Sequence, residues 1–134
     1  MVPKRTRNSS SGDAVTGMAV RSIAFTMYPV TDMPRAIAFY RDMLGLTPAG
    51  LESDFWYEFG LGEATFGIGN FEQVGTAGSA QSLALEVDDL AALRSKLSAS
   101  GIETSEPHDF PSCSISVVRD PDGNQIWLHQ AKPS

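Results

Sequence analysis

VTDMPRAIAFYRDMLGL, residues 30–46, holds the end of a strand, a capped helix and the helix stop in one stretch. Val30 closes an apolar run, RSIAFTMYPV (21–30), that reads as a strand. Thr31 or Asp32 offers a side-chain oxygen to the free N–H groups of the next helix, and Pro34 suits its first turn. Met33, Ile37, Tyr40 and Leu44 recur at helical spacing, and Gly45 stops the helix. Three strand-like segments follow, LTPAGLES, DFWYEFGL and ATFGIGN, separated by turn residues.

Working outward from this stretch, the same order returns. SLALEV (82–87) alternates like a strand, Asp88-Asp89 caps a helix, and Leu90, Leu93 and Leu97 form one helical face that Gly101 closes. IETSEP, CSISVVR and QIWLHQ read as three further strands, the last two joined by the tight turn DPDGN. Val30-Thr31-Asp32-Met33 matches Val87-Asp88-Asp89-Leu90 at an offset of 57, and Gly62 matches Gly123 at an offset of 61. Repetition with a small drift marks a duplicated module. The expected fold is α+β: two tandem βαβββ modules forming a curled mixed sheet around a cleft, with the helices on the outer face. Its parts are a flexible arm (1–20), a first module (21–70), a polar connection (71–81) and a second module (82–131), making one domain over 21–131.

Bulk composition narrows the function classes. A chain of 134 residues with 42% hydrophobic and 19% charged residues has the makings of one globular core. No apolar run approaches the roughly 18 residues of a membrane span, and no apolar stretch of signal-peptide type follows the basic start. The net charge is −6; residues 21–134 hold seven basic and fifteen acidic side chains, so nucleic acid is a poor partner. Cys113 is the one cysteine, which excludes an intrachain disulfide and points to a reducing, cytoplasmic setting.

The stretches VTDMPRAIAFYRDMLGL (30–46), EVDDLAALRSKLSASGI (86–102) and DPDGNQIWLHQ (120–130), in this order, resemble the vicinal oxygen chelate superfamily of glyoxalases, bleomycin resistance proteins and extradiol dioxygenases. The resemblance spans roughly residues 21–130. It implies paired βαβββ modules, frequent homodimers and a cleft that in the metal enzymes holds one divalent ion. It also implies four ligand positions, which fall here on Phe25, Ser82, Phe66 and Trp127. A divalent ion needs three or more lone-pair donors at about 2.0–2.3 Å, and rings with one hydroxyl do not provide them. No metal or other cofactor is therefore expected at that place.

Strand alternation puts Phe25 and Met27 on one face, and Trp127 and His129 on one face. Glu86 alternates with Ser82 and so turns toward the cleft. Trp56 and Glu58 share a face of their strand, with Phe55, Tyr57 and Phe59 opposite. The expected ligand-binding set is thus Phe25, Met27, Trp56, Phe66, Ser82, Glu86, Trp127 and His129. Glu86, His108 and His129 are the candidates for acid–base work, because carboxylates in apolar clefts and imidazoles titrate where catalysis needs them. Cys113 reads as a buried small hydrophobe, and Arg119 beside Asp120 as a surface ion pair. Two function classes follow. One is a metal-free protein that binds an apolar, aromatic or cationic small molecule in an aromatic-lined cleft, as a homodimer. The other is a metal-dependent lyase, isomerase or dioxygenase that draws its ligands from Glu58, Glu86, His108 and His129.

Overall fold

A computed structural model describes residues 19–133. The expected arm at 1–20 lies outside them apart from Ala19 and Val20, which are exposed and in no helix or strand. The first module runs β1 (Thr26–Pro29), α1 (Met33–Ile37), a π-helical turn (Ala38–Met43), β2 (Thr47–Glu52), β3 (Trp56–Leu61) and β4 (Ala64–Gly69). A connection with one 3-10 turn (Glu72–Val74) leads to β5 (Leu83–Glu86), α2 (Leu90–Ala99), β6 (His108–Asp109), β7 (Cys113–Arg119) and β8 (Gln125–Ala131). The strand order is β1-β4-β3-β2 in one sheet and β5-β8-β7-β6 in the other. In each, the first and last strands of the module pair in parallel and the remaining pairs are antiparallel. The fold is α+β, with two curled four-stranded mixed sheets, as the repeated element order requires.

Local chemistry explains the helix ends. The Asp32 carboxylate accepts from Arg35 N at 3.0 Å, and that of Asp89 accepts from Ala92 N at 3.0 Å. The first helix does not stay α-helical to Leu44. Its last part widens, with Leu44 N donating to Phe39 O at 3.0 Å, five residues back. That geometry seats both Phe39 and Tyr40 in the core.

Each sheet buries one face. In the first, Tyr28, Phe59, Phe66 and Ile68 lie under α1 and its π-helical extension, where Tyr40 packs against Phe59 and Phe66. In the second, Leu85, Val118, Ile126 and Leu128 meet Leu90 and Leu97 of α2, and all these residues form one continuous core with the first module. Burying one such side chain contributes about 1.5–3 kcal/mol. Cys113 is buried and unpaired.

Polar bonds fasten the modules across this core. The Tyr28 hydroxyl donates to Gln125 O at 2.7 Å and accepts from Leu83 N at 2.7 Å. Asn124, fully buried, donates from Nδ2 to Pro29 O and Asp120 Oδ2, while its Oδ1 accepts from Gly78 N and Ala80 N. Asp120 is not in the surface ion pair expected of it. It is buried and takes the Tyr40 hydroxyl, whereas Arg119 donates to Gly123 O.

Two expected strands are much shorter. RSIAFTMYPV is paired only over Thr26–Pro29, and IETSEP keeps a single bridge, Thr104 to Val118. In the latter case the edge strand forms instead at His108–Asp109. Glu103 and Glu106 are exposed, so this segment has little to bury.

Candidate functional site

The open face of the first sheet carries a pocket of about 510 Å³ lined by Phe25, Met27, Leu51, Ser53, Phe55, Trp56, Phe71, Gln73 and Val74. Its wall begins in the sequence of β4. Gly67 and Gly69 face the same side as Trp56 of the neighbouring strand, where Trp56 pairs with Gly69. A Cβ at Gly67 would stand 2.4 Å from Trp56 Cζ2, and one at Gly69 would stand 2.9 Å from Cε3. The absence of side chains at these two positions lets the indole lie across the β4 backbone. Phe25 meets this indole edge-on at 5.4 Å, and Phe71 leans on it at 6.1 Å. Such aromatic contacts add about 0.5–1.5 kcal/mol each beyond burial.

Glu58 fixes the indole in the plane of the wall. Its Oε2 accepts from Trp56 Nε1 at 2.8 Å and its Oε1 accepts from Leu51 N at 3.3 Å. The carboxylate is 1% exposed, and a charge so placed needs such donors to offset its lost hydration. Room for it comes from the irregular pairing of β2, where Gly50 has φ 107°. A Cβ there would lie 2.2 Å from Glu58 Oε1.

The open face of the second sheet holds a different set. Glu86, His129, Ile115 and His108 pair in one row across β5, β8, β7 and β6. His129 Nδ1 lies 2.5 Å from Glu86 Oε1, and Ala131 N donates to Glu86 Oε2 at 2.8 Å. The Ala131 N–H first, then the imidazole, hold the Glu86 carboxyl below the usual carboxylate range. Trp127 stands beside His129 on this face, 44% exposed, and His108 stacks on Phe110 at 5.0 Å.

The eight expected ligand-binding residues therefore separate. Phe25, Met27 and Trp56 come together in the pocket. Ser82, Glu86, Trp127 and His129 belong to the second module and do not line it. Phe66 joins neither group. It is fully buried in the helix-side core, against Tyr28 and Tyr40. The cause is a one-residue register difference between modules, which turns a side chain to the other face. The β3–β4 turn has two residues and the β7–β8 turn has five, so matching the turn glycines misplaces the strand. By pairing, Thr26 with Phe66 corresponds to Leu83 with Ile126, and Met27 with Gly67 to Ala84 with Trp127. Gly67 is thus the counterpart of Trp127.

Phe55 was expected beside Tyr57 and Phe59, yet it lines the pocket. It precedes β3 in a bend, where alternation no longer applies. Leu51, Phe71 and Val74 were not expected at the site. The one signal for the last two was their apolar character within an otherwise polar connection.

The four family ligand positions, corrected for register, are Phe25, Ser82, Gly67 and Trp127, which together offer one side-chain hydroxyl. These residues do not fit a divalent ion. Among the described residues, no group of three or more His, Cys, Asp or Glu side chains is placed to hold a metal elsewhere.

The sequence pattern of the Glyoxalase/Bleomycin resistance protein/Dioxygenase superfamily matches residues 22–128. The chain belongs to this superfamily. Among solved structures, an antibiotic-binding protein of Streptomyces sp. CB03234, TnmS3, shares 26% identity at a TM-score of 0.72, covering 86% of this chain and 99% of its own. A glyoxalase/bleomycin resistance protein of the same organism shares 28% identity at a TM-score of 0.68, covering 81% and 100%. A lactoylglutathione lyase of Agrobacterium tumefaciens, at 20% identity and a TM-score of 0.69 over 84% and 95%, shares the fold. No curated protein matches this superfamily member. No helix among its described residues is long and apolar enough to cross a membrane.

Proposed function

We infer that the chain is a small-molecule-binding member of the superfamily that captures an apolar, aromatic or cationic compound without a metal. The observation that carries this reading is the first-module pocket, which is large enough for a drug-sized molecule and walled by Trp56, Phe25 and Phe71. TnmS3, an antibiotic-binding protein, is one of the solved structures it resembles. Met27 and Trp127 are large apolar side chains left exposed on the open faces, which favours a homodimer that would cover them. A cytoplasmic setting accords with the buried, unpaired Cys113.

A thermal-shift screen tests the binding. An occupied pocket raises the melting temperature by mass action, by about 2.7 kcal/mol of stability at a hundredfold excess over Kd. Trp56→Ala should abolish the shift. If no apolar, aromatic or cationic compound raises the melting temperature, the reading fails.

The alternative is a metal-dependent lyase, isomerase or dioxygenase using Glu58, Glu86, His108 and His129. Its residues are dispersed: Glu58 is buried beneath Trp56 in the first sheet, and the other three stand in the second. Stoichiometric metal found by elemental analysis of the purified protein, and lost on substitution of His129 or Glu86, would establish it instead.

A further inference from the structure

The polar side chains of the pocket are few, and all but one are already engaged by the protein. Seven of the nine lining residues are Phe, Met, Leu, Trp or Val, and the other two are Ser53 and Gln73. The Ser53 hydroxyl donates to Trp56 O at 3.0 Å and accepts from Trp56 N at 3.1 Å and Phe55 N at 3.3 Å. The indole Nε1–H of Trp56 donates to Glu58. Gln73 differs from both. It is exposed, and among the described residues its side-chain amide has no hydrogen-bond partner. Trp56 itself is nearly buried, so the apolar surface left for a ligand comes chiefly from Met27, Phe55 and Phe71, which are exposed.

The turn that carries Gln73 is seated on β4. Val74 N donates to Phe71 O and Gly75 N to Glu72 O, both at 3.1 Å, which closes the 3-10 turn around Gln73. Two residues that flank it in this turn, Phe71 and Val74, bear on Gly69. A Cβ added at Gly69 would stand 3.1 Å from Phe71 Cε1 and 2.8 Å from Val74 Cγ2. The missing side chain lets the connection close onto the sheet, and its two anchored apolar residues hold the Gln73 backbone at the pocket.

A polar group carried into an apolar pocket loses its hydration, and the loss is offset only by a hydrogen bond inside. The Gln73 amide can supply that bond in either sense: its NH2 donates to a carbonyl and its oxygen accepts from a hydroxyl. No other lining side chain has a donor free to do the same.

We propose that Gln73 is the specificity-determining residue of this pocket, and that the ligand is an apolar or aromatic molecule bearing a carbonyl or hydroxyl group for the Gln73 amide. The proposal rests on the ligand-binding reading above and deepens it by naming the polar group the ligand carries. It also gives the connection between the modules a part in recognition, since Phe71, Gln73 and Val74 all belong to it.

Equilibrium dialysis of the full chain against three probes of one skeleton tests it. Diphenylmethane has no polar group, benzhydrol adds a hydroxyl and benzophenone a carbonyl. Transfer from water favours the hydrocarbon, so the readout is a ratio. It is the affinity of each oxygenated probe relative to diphenylmethane, compared between the wild type and Gln73→Met. Methionine keeps an unbranched side chain and removes the amide. The ratio for at least one oxygenated probe should fall by about three- to tenfold in the variant, the effect of one neutral hydrogen bond. A role in wall packing alone would shift all three probes together and leave both ratios where they were. Unchanged ratios therefore overturn the role of Gln73 while the pocket reading stands. If none of the three probes binds the wild type, the pocket reading falls and the proposal with it.

Discussion

The Tyr40 hydroxyl donates a 2.6 Å hydrogen bond to Asp120 Oδ2 across eighty residues of chain, and both side chains are buried. Asp120 also accepts from Asp122 N, Asn124 N and Asn124 Nδ2, so a carboxylate removed from water is satisfied by four donors. Near it, Asp122 holds Thr31 by two bonds, to the amide at 3.1 Å and the hydroxyl at 2.6 Å. The turn DPDGN thereby joins the second module to the strand end and helix of the first. The modules are fixed relative to each other by polar bonds embedded in a shared apolar core.

Tyr40→Phe should lower stability by about 1.5–3 kcal/mol, the range for a hydrogen bond to a charged group. Urea unfolding checks this: the midpoint falls while the slope stays constant. The pH dependence follows from the direction of the tyrosine shifts. Burial first, then the Asp120 charge, pushes the Tyr40 hydroxyl well above its usual range, and burial raises Tyr28 too. The raised groups contribute fully below the unfolded tyrosine value of about 10 and lose that contribution as pH rises above it. The unfolded chain then releases protons that the folded chain retains. Stability should therefore fall above about pH 10, by about 1.4 kcal/mol per pH unit on account of Tyr40. In Tyr40→Phe the slope should be shallower; an unchanged slope would contradict the assignment.

Gly67→Ala tests the glycine track beneath the indole. The new Cβ would meet Trp56 Cζ2 at 2.4 Å and Cη2 at 2.6 Å, so the ring must lift or tilt. Gly67 is not in a positive-φ conformation, so the effect is steric and not one of backbone strain. The expected cost is about 1–3 kcal/mol. Near-ultraviolet circular dichroism should show an altered tryptophan signal. Gly62→Ala provides the contrast: φ is 60° with open space around it, so backbone strain is expected without a change at Trp56.

Glu86 and His129 provide an electrostatic test on the other sheet. The carboxyl is held low by Ala131 N and by the imidazole, so its contribution is present above the unfolded glutamate value of about 4.3 and is lost as pH falls through the lower folded value. Carbon-detected NMR titration should place the Glu86 midpoint below that of an ordinary glutamate. In His129→Ala it should move upward without reaching the ordinary value, because the Ala131 amide still donates. A midpoint unmoved by the substitution would mean the imidazole contact is absent in solution.

Local signals settled much of this protein in advance. Capping aspartates at 32 and 89, helical spacing of apolar residues and repeated strand order gave the two βαβββ modules, since each depends on neighbours a few residues away. The same locality put Trp56 and Glu58 on one face, and Phe25 and Met27 in one pocket. Tertiary structure decided the rest. Turn length set the register that sent Phe66 into the core and left Gly67 under the indole. Packing through Tyr28, Asp120 and Asn124 fixed how the modules meet, and so which residues share a site: the pocket belongs to the first module and its connection, while Trp127 and His129 stand apart from it. Strand pairing and module contacts join residues far apart in the chain, and a strand shifted by one position keeps its local pattern while exchanging its two faces.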